Sequence, residues 1–183
     1  MKKLSIILVA LFTISSFSLQ AINPKDHTKA KITEKEVMEA QKVWGEGIVK
    51  IGKTFTDGGD YVQAAKDHIN TLYAYEMTDV LFKPTKAADD QFRMDYEGAL
   101  SYFVGKNKDY SEDGGFAINP WTNVRFDNKK TFIHGDIALA MGNYYFTTTS
   151  GDDVKVEYSF GYVKDEDGNL RIILHHSSVP FQP

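Results

Sequence analysis

The stretch 157–180 constrains the fold of this 183-residue chain more than any other. Two runs rich in β-branched and aromatic residues flank an acidic turn closed by Asp167-Gly168, a short-range signature of a β-hairpin. The second run ends in His175-His176-Ser177-Ser178 and stops at Pro180. In the first, Val154, Val156, Tyr158, Phe160 and Tyr162 alternate with Lys155, Glu157 and Ser159, so this strand has one buried face.

The other end of the chain reads as a targeting segment. Lys2 and Lys3 precede an apolar stretch over 4–19, and Leu19-Gln20-Ala21 supplies a small-residue exit for signal peptidase. The expectation is a signal peptide over 1–21, a flexible leader over 22–32 and one domain over 33–183, exported to the periplasm or secreted. The apolar core falls short of the ~20 residues of a spanning helix, so no membrane association is expected after cleavage. The chain has no cysteine, which excludes disulfides, thiolate metal sites and a lipidated cysteine.

Removing the two leader lysines takes the net charge from −4 to −6. Such a surface repels phosphate backbones, and Arg93, Arg125 and Arg171 lie far apart, so nucleic acid is not an expected partner.

Helices precede strands. Thr33 and Glu36 form a capping box before Val37, Ala40, Val43, Trp44, Ile48 and Ile51, which recur at helical spacing. Gly58-Gly59 breaks the chain, and Asp60 caps a second helix through Ala65, Ile69 and Leu72. A short strand over 80–84 ends at Pro84, and a third helix covers 97–104. Strands follow over 121–127, 131–134, 137–148, 154–164 and 170–176, with turns at 128–130 and 151–153. This order predicts an α+β domain with helices over one face of a curved antiparallel sheet.

The order and three local motifs resemble the NTF2-like superfamily, specifically the association domain of calcium/calmodulin-dependent protein kinase II. The motifs are Val80-Leu81-Phe82-Lys83-Pro84, Gly135-Asp136-Ile137-Ala138, and the run from His175 to Pro180. The resemblance implies an NTF2-like cone whose concave face holds the chemistry, in a superfamily that includes isomerases, dehydratases, non-catalytic binders and oligomerisation modules. The kinase hub's basic pocket does not carry over, because Tyr144 and Gly161 stand where its arginines would be.

His175 and His176 are the candidate catalytic residues. Neighbours on a strand face opposite ways, so they cannot chelate one metal ion together, and no metal or other cofactor is expected. His175, aligned with the family's terminal histidine, is the cavity candidate for proton transfer, with Ser177 placed to hold its tautomer; both histidines equally read as polar residues at a strand end. His68, beside Asp67 on a helix, reads as a surface residue, and His134 joins a site only through tertiary proximity. Glu76 and Asp79 read as surface or capping carboxylates, and 165–168 as a solvated turn lacking EF-hand spacing.

Tyr75, Phe82, Tyr96, Tyr144, Tyr158 and Phe160 are candidates to line a ligand cavity, against a plain reading as core. The strand from Ile137 is apolar on both faces, so a homo-oligomer, at least a dimer, is expected. Together these features favour an exported, self-associating module that binds a small molecule or protein without turnover. The alternative is a cofactor-free isomerase, dehydratase or hydrolase using a cavity histidine or carboxylate.

Overall fold

The computed structural model describes residues 31–183; the signal segment 1–21 and nearly all of the leader 22–32 lie outside the described residues. Ile32, assigned to the leader, is buried in the core.

Helix α1 (Glu34–Thr56) starts at the capping box, with Thr33 N–H donating to Glu36 at 2.7 Å and Glu36 N–H to Thr33 Oγ1 at 3.2 Å. Its buried stripe, Val37, Gln41, Trp44, Ile48 and Ile51, follows the three-and-four spacing of one helix face. Helix α2 (Tyr61–Leu72) is capped by Asp60 and buries Ala65, His68, Ile69 and Leu72. The surface assignment of His68 is therefore corrected. Three residues from Ala65 and four from Leu72, it shares their inward stripe, while Asp67, a third of a turn away, is exposed. Gly47 of α1 admits the imidazole, since a Cβ there would stand 2.1 Å from His68 Nδ1.

After β1 (Leu81–Lys83) and α3 (Tyr96–Val104) come β2 (Asn123–His134), β3 (Ile137–Thr147), β4 (Asp153–Lys164) and β5 (Leu170–Ser178), in one sheet of order β1-β5-β4-β3-β2. All neighbours are antiparallel except β1, which runs parallel to β5. The turn expected at 128–130 is instead a bulge inside a single strand, β2, because Lys129 is an extra residue between the pairs Asn128↔Gly142 and Lys130↔Met141. Gly142 permits it: a Cβ there would lie 2.1 Å from the Asp127 carbonyl oxygen.

The helices cover the sheet's inner face, which carries Ala138, Ala140, Tyr144 and Phe146 of β3 and Val156, Tyr158, Phe160 and Tyr162 of β4. Trp44 is central, with the rings of Phe126, Tyr144, Phe146, Phe160 and His175 all within 6.2 Å of its own. The result is an NTF2-like α+β cone filled by aromatic side chains. Ile137, Leu139 and Met141 point outward and are 41–55% exposed.

Candidate active site

The alternation of β5 sends His175 and Ser177 into the cone and His176 outward. His175 is 2% exposed, stacked on Phe82 at 4.7 Å, close to Phe160 at 4.2 Å and edge-on to Trp44 at 5.4 Å. The parallel pairing of β1 with β5 sets Phe82 directly beside it.

A hydrogen-bonded chain runs through this ring. Trp44 Nε1–H, which can only donate, gives its proton to the Tyr73 oxygen at 3.0 Å, and that oxygen lies 2.8 Å from His175 Nδ1. The phenol thus has its own proton to give to Nδ1, which leaves the other nitrogen as Nε2–H, directed at the Tyr144 oxygen 3.4 Å away. Tyr73, rather than Ser177, fixes the tautomer. Ser177 instead accepts from Thr85 Oγ1 at 2.8 Å, and the Tyr144 hydroxyl lies near both Ser177 and Thr85. Tyr102 completes the group, its hydroxyl lying near the backbone of Lys86 and Thr85.

Burial keeps all of these groups uncharged. It holds the His175 imidazole well below its ordinary value and raises Tyr73, Tyr102 and Tyr144 above the usual phenol range. Thr85, Tyr102, Tyr144, Ser177 and His175 thus form a neutral, donor-rich cluster walled by Phe82, Phe160 and Trp44. A cavity of ≈ 360 Å³ reaches it from outside, lined by Lys86, Tyr102, Asp113, Phe116 and Asn119, with Tyr102 common to both.

The loop after β1 is fastened by charge. The backbone N–H groups of Ala88, Asp89 and Asp90 donate to the Glu112 carboxylate at 2.6, 3.1 and 2.9 Å, holding its pKa at about 2. Arg93, fully buried, pairs with Asp113 at 2.8 Å and Glu112 at 3.4 Å, and its N–H bonds the Phe82 carbonyl at 2.8 Å. These contacts set Thr85 in place.

The proposed ligand-lining aromatics do not converge on one chamber. Phe82, Tyr144 and Phe160 touch His175, whereas Tyr75 packs on Tyr73 and donates to the Arg93 carbonyl at 2.8 Å, with Tyr96 beside it. Tyr158 packs on Tyr144 and Phe160 but turns its hydroxyl away to Gln41 and Asn128. His176 lies on the outer face in an open groove with Met141, Glu157 and Ser159. His134 is exposed and stacked on Phe132; Glu76 and Asp79 are exposed. Among the described residues there is no cluster of three or more histidines and carboxylates able to hold a metal ion. Sequence reasoning missed Thr85 and did not single out Tyr73 or Tyr102. The one available signal for Thr85 was its place just after a strand-ending proline.

Residues 35–179 match the family model described as metal-independent carbonic anhydrase. A curated metal-independent carbonic anhydrase from Nostoc sp. (strain PCC 7120) is 43% identical over 154 residues, covering 82% of this chain and 75% of that protein. The crystal structure of the iota-carbonic anhydrase from a cyanobacterium, complexed with bicarbonate, superposes with a TM-score of 0.82 at 42% identity, over 84% of this chain and 95% of that one. A calcium/calmodulin-dependent protein kinase II association-domain structure from Xanthomonas campestris, 21% identical with a TM-score of 0.54 over 86% of this chain and 99% of its own, shares the NTF2-like fold. These findings overturn the expectation of a module that binds without turnover, and they agree better with the cofactor-free enzyme weighed against it. A cone packed with rings around a small neutral cluster suits a substrate of few atoms, and the chain belongs to the metal-independent carbonic anhydrase family.

Proposed function

We propose that the protein hydrates carbon dioxide to bicarbonate and a proton without a metal ion. The observation that carries this reading is the buried hydroxyl–imidazole cluster, in a chain 42% identical to a protein crystallised with bicarbonate. Carbon dioxide is apolar and triatomic, so it suits the aromatic wall and needs no large chamber. When water attacks its carbon, a C–O bond forms and a π pair moves onto oxygen. That charge develops beside the hydroxyls of Thr85, Tyr102, Tyr144 and Ser177 and the Nε2–H of His175, where donors held in place at low dielectric stabilise it more than they stabilise the uncharged substrate. His175, kept neutral by burial, acts here as a donor and orienting group. Stopped-flow hydration with a pH indicator, on protein dialysed against a chelator, tests the proposal. The expected result is catalysis above the buffer rate that survives chelation; no catalysis, or its loss with the metal, overturns it.

Self-association rests on a separate observation. The register joins Phe132, Leu139, Gly161, Leu174 and Leu81 in one row across all five strands on the outer face, with Phe132 58%, Leu139 42% and Leu81 53% exposed. Leaving such a row wet costs roughly 25 cal/mol per Å² of apolar area, and a second copy of the chain covers it. Light scattering is expected to show a dimer that Leu139→Glu converts to monomer; a wild-type monomer at millimolar concentration overturns the proposal.

A further inference from the structure

Carbon dioxide is neutral and bicarbonate is an anion, so a protein that interconverts them handles two species that differ by a full charge. The cluster around His175 is uncharged and walled by aromatic rings. The anion therefore meets its first charged side chains in the ≈ 360 Å³ cavity that shares Tyr102 with the cluster. Three charged residues line this cavity: Lys86, Glu112 and Asp113. Both carboxylates are already engaged. Asp113 pairs with Arg93 at 2.8 Å and accepts from Ser101 Oγ at 2.6 Å, while Glu112 pairs with Arg93 at 3.4 Å and accepts from the N–H groups of Ala88, Asp89 and Asp90. The Lys86 ammonium has no ion pair or hydrogen bond among the described residues. We infer that Lys86 is the residue that selects bicarbonate: it receives the anion in the cavity as it leaves and collects it there in the reverse reaction, an assignment that rests on the proposed carbonic anhydrase activity.

The local chain fixes where this cation stands. Lys86 directly follows Thr85 of the cluster and precedes the stretch 88–90 that Glu112 fastens by its backbone. The Tyr102 hydroxyl lies near the backbone of both Thr85 and Lys86. With the backbone held on either side, residue 86 stays at the cavity wall while its flexible four-carbon stem lets the ammonium follow an ion. Asp89 and Asp90, exposed in the same loop, do not line the cavity. The whole chain carries a net charge of −4, so its overall field opposes an approaching anion, and a cation at this entrance reverses that locally. Carbon dioxide has no charge for the ammonium to hold, so Lys86 adds affinity for one of the two species only. Lys86 is exposed, which makes the attraction sensitive to salt.

Forward and reverse kcat/KM are tied by the overall equilibrium constant and move together, so the test reads bicarbonate binding itself. The probe is isotopically labelled sodium bicarbonate, titrated into the protein at mildly alkaline pH and followed by carbon NMR. In low salt, Lys86→Gln is expected to raise the bicarbonate Kd about fivefold and Lys86→Glu about 20-fold, while Lys86→Arg stays within about twofold of wild type. Added salt weakens binding to the wild type, and Lys86→Gln removes most of that dependence. Lys83→Gln makes the same change in net charge on the outer row of the sheet, beside His176, and is expected to leave the Kd unchanged. Hydration of carbon dioxide, measured on the same wild-type sample, separates the two readings. An active wild type whose Kd is unmoved by Lys86→Gln, or moved equally by Lys83→Gln, overturns the role of Lys86 and leaves the activity standing; a wild type without hydration activity overturns both.

Discussion

His175→Ala is expected to lower kcat/KM for carbon dioxide hydration by about 10²-fold or more, whereas His176→Ala stays within about twofold. The two residues are adjacent in sequence, yet one is walled in by Phe82, Phe160 and Trp44 and the other faces an open groove. Removing the His175 imidazole takes away the Nε2–H donor and leaves the Tyr73 hydroxyl, pinned by Trp44, without its acceptor. That orphaned hydroxyl costs about 1–3 kcal/mol of stability, so denaturation and hydration assays are read together. A stable His175→Ala protein with undiminished hydration would remove the imidazole from the mechanism.

Local chemistry made the helices and hairpins legible in the sequence. Thr33 with Glu36 marks the start of α1, Asp60 that of α2, and Asp167-Gly168 the β4–β5 turn, because each depends on residues within a few positions. The bulge at Lys129 escaped because three polar residues in a row look alike in a turn and in a bulge, and the deciding contact is with Gly142 on the next strand. His68 was misplaced for a related reason, since Asp67 suggested solvent while the contact that buries its neighbour comes from Gly47 on another helix. Alternation divided His175 from His176, but it could not supply Tyr73, Thr85 or Tyr102, which reach the cluster through the parallel β1–β5 pairing and the Arg93 and Glu112 clamps.

Acid is expected to destabilise the fold steeply from mildly acidic pH. His68 and His175 are both neutral and buried, and burial lowers both, His68 to about 3. Unfolded imidazoles titrate near ~6.5, so below that pH the unfolded chain binds protons that the native protein refuses. Stability is therefore complete above ~6.5 and is lost as pH falls, until the folded values are reached. For His68 the slope is about 1.4 kcal/mol per pH unit, or about 2 kcal/mol between pH ~6.5 and ~5, and His175 adds to it in the same direction. Urea denaturation across that range measures it, and His68→Phe should make the slope shallower. A flat profile would mean that the imidazoles charge without leaving the core.

The sheet also works as a partition one residue deep. On its inner side Phe82, His175, Phe160 and Ala140 stand in register; one position further along the same strands, Lys83, His176, Ser159 and Met141 form the outer row. The inner row must be dry, neutral and fixed in shape, while the outer row meets only solvent or another subunit. Alternate letters of the same strands therefore answer to different surroundings: a change at Lys83, His176, Ser159 or Met141 alters the outer surface, whereas one at Phe82, Phe160 or Ala140 alters the packing around His175.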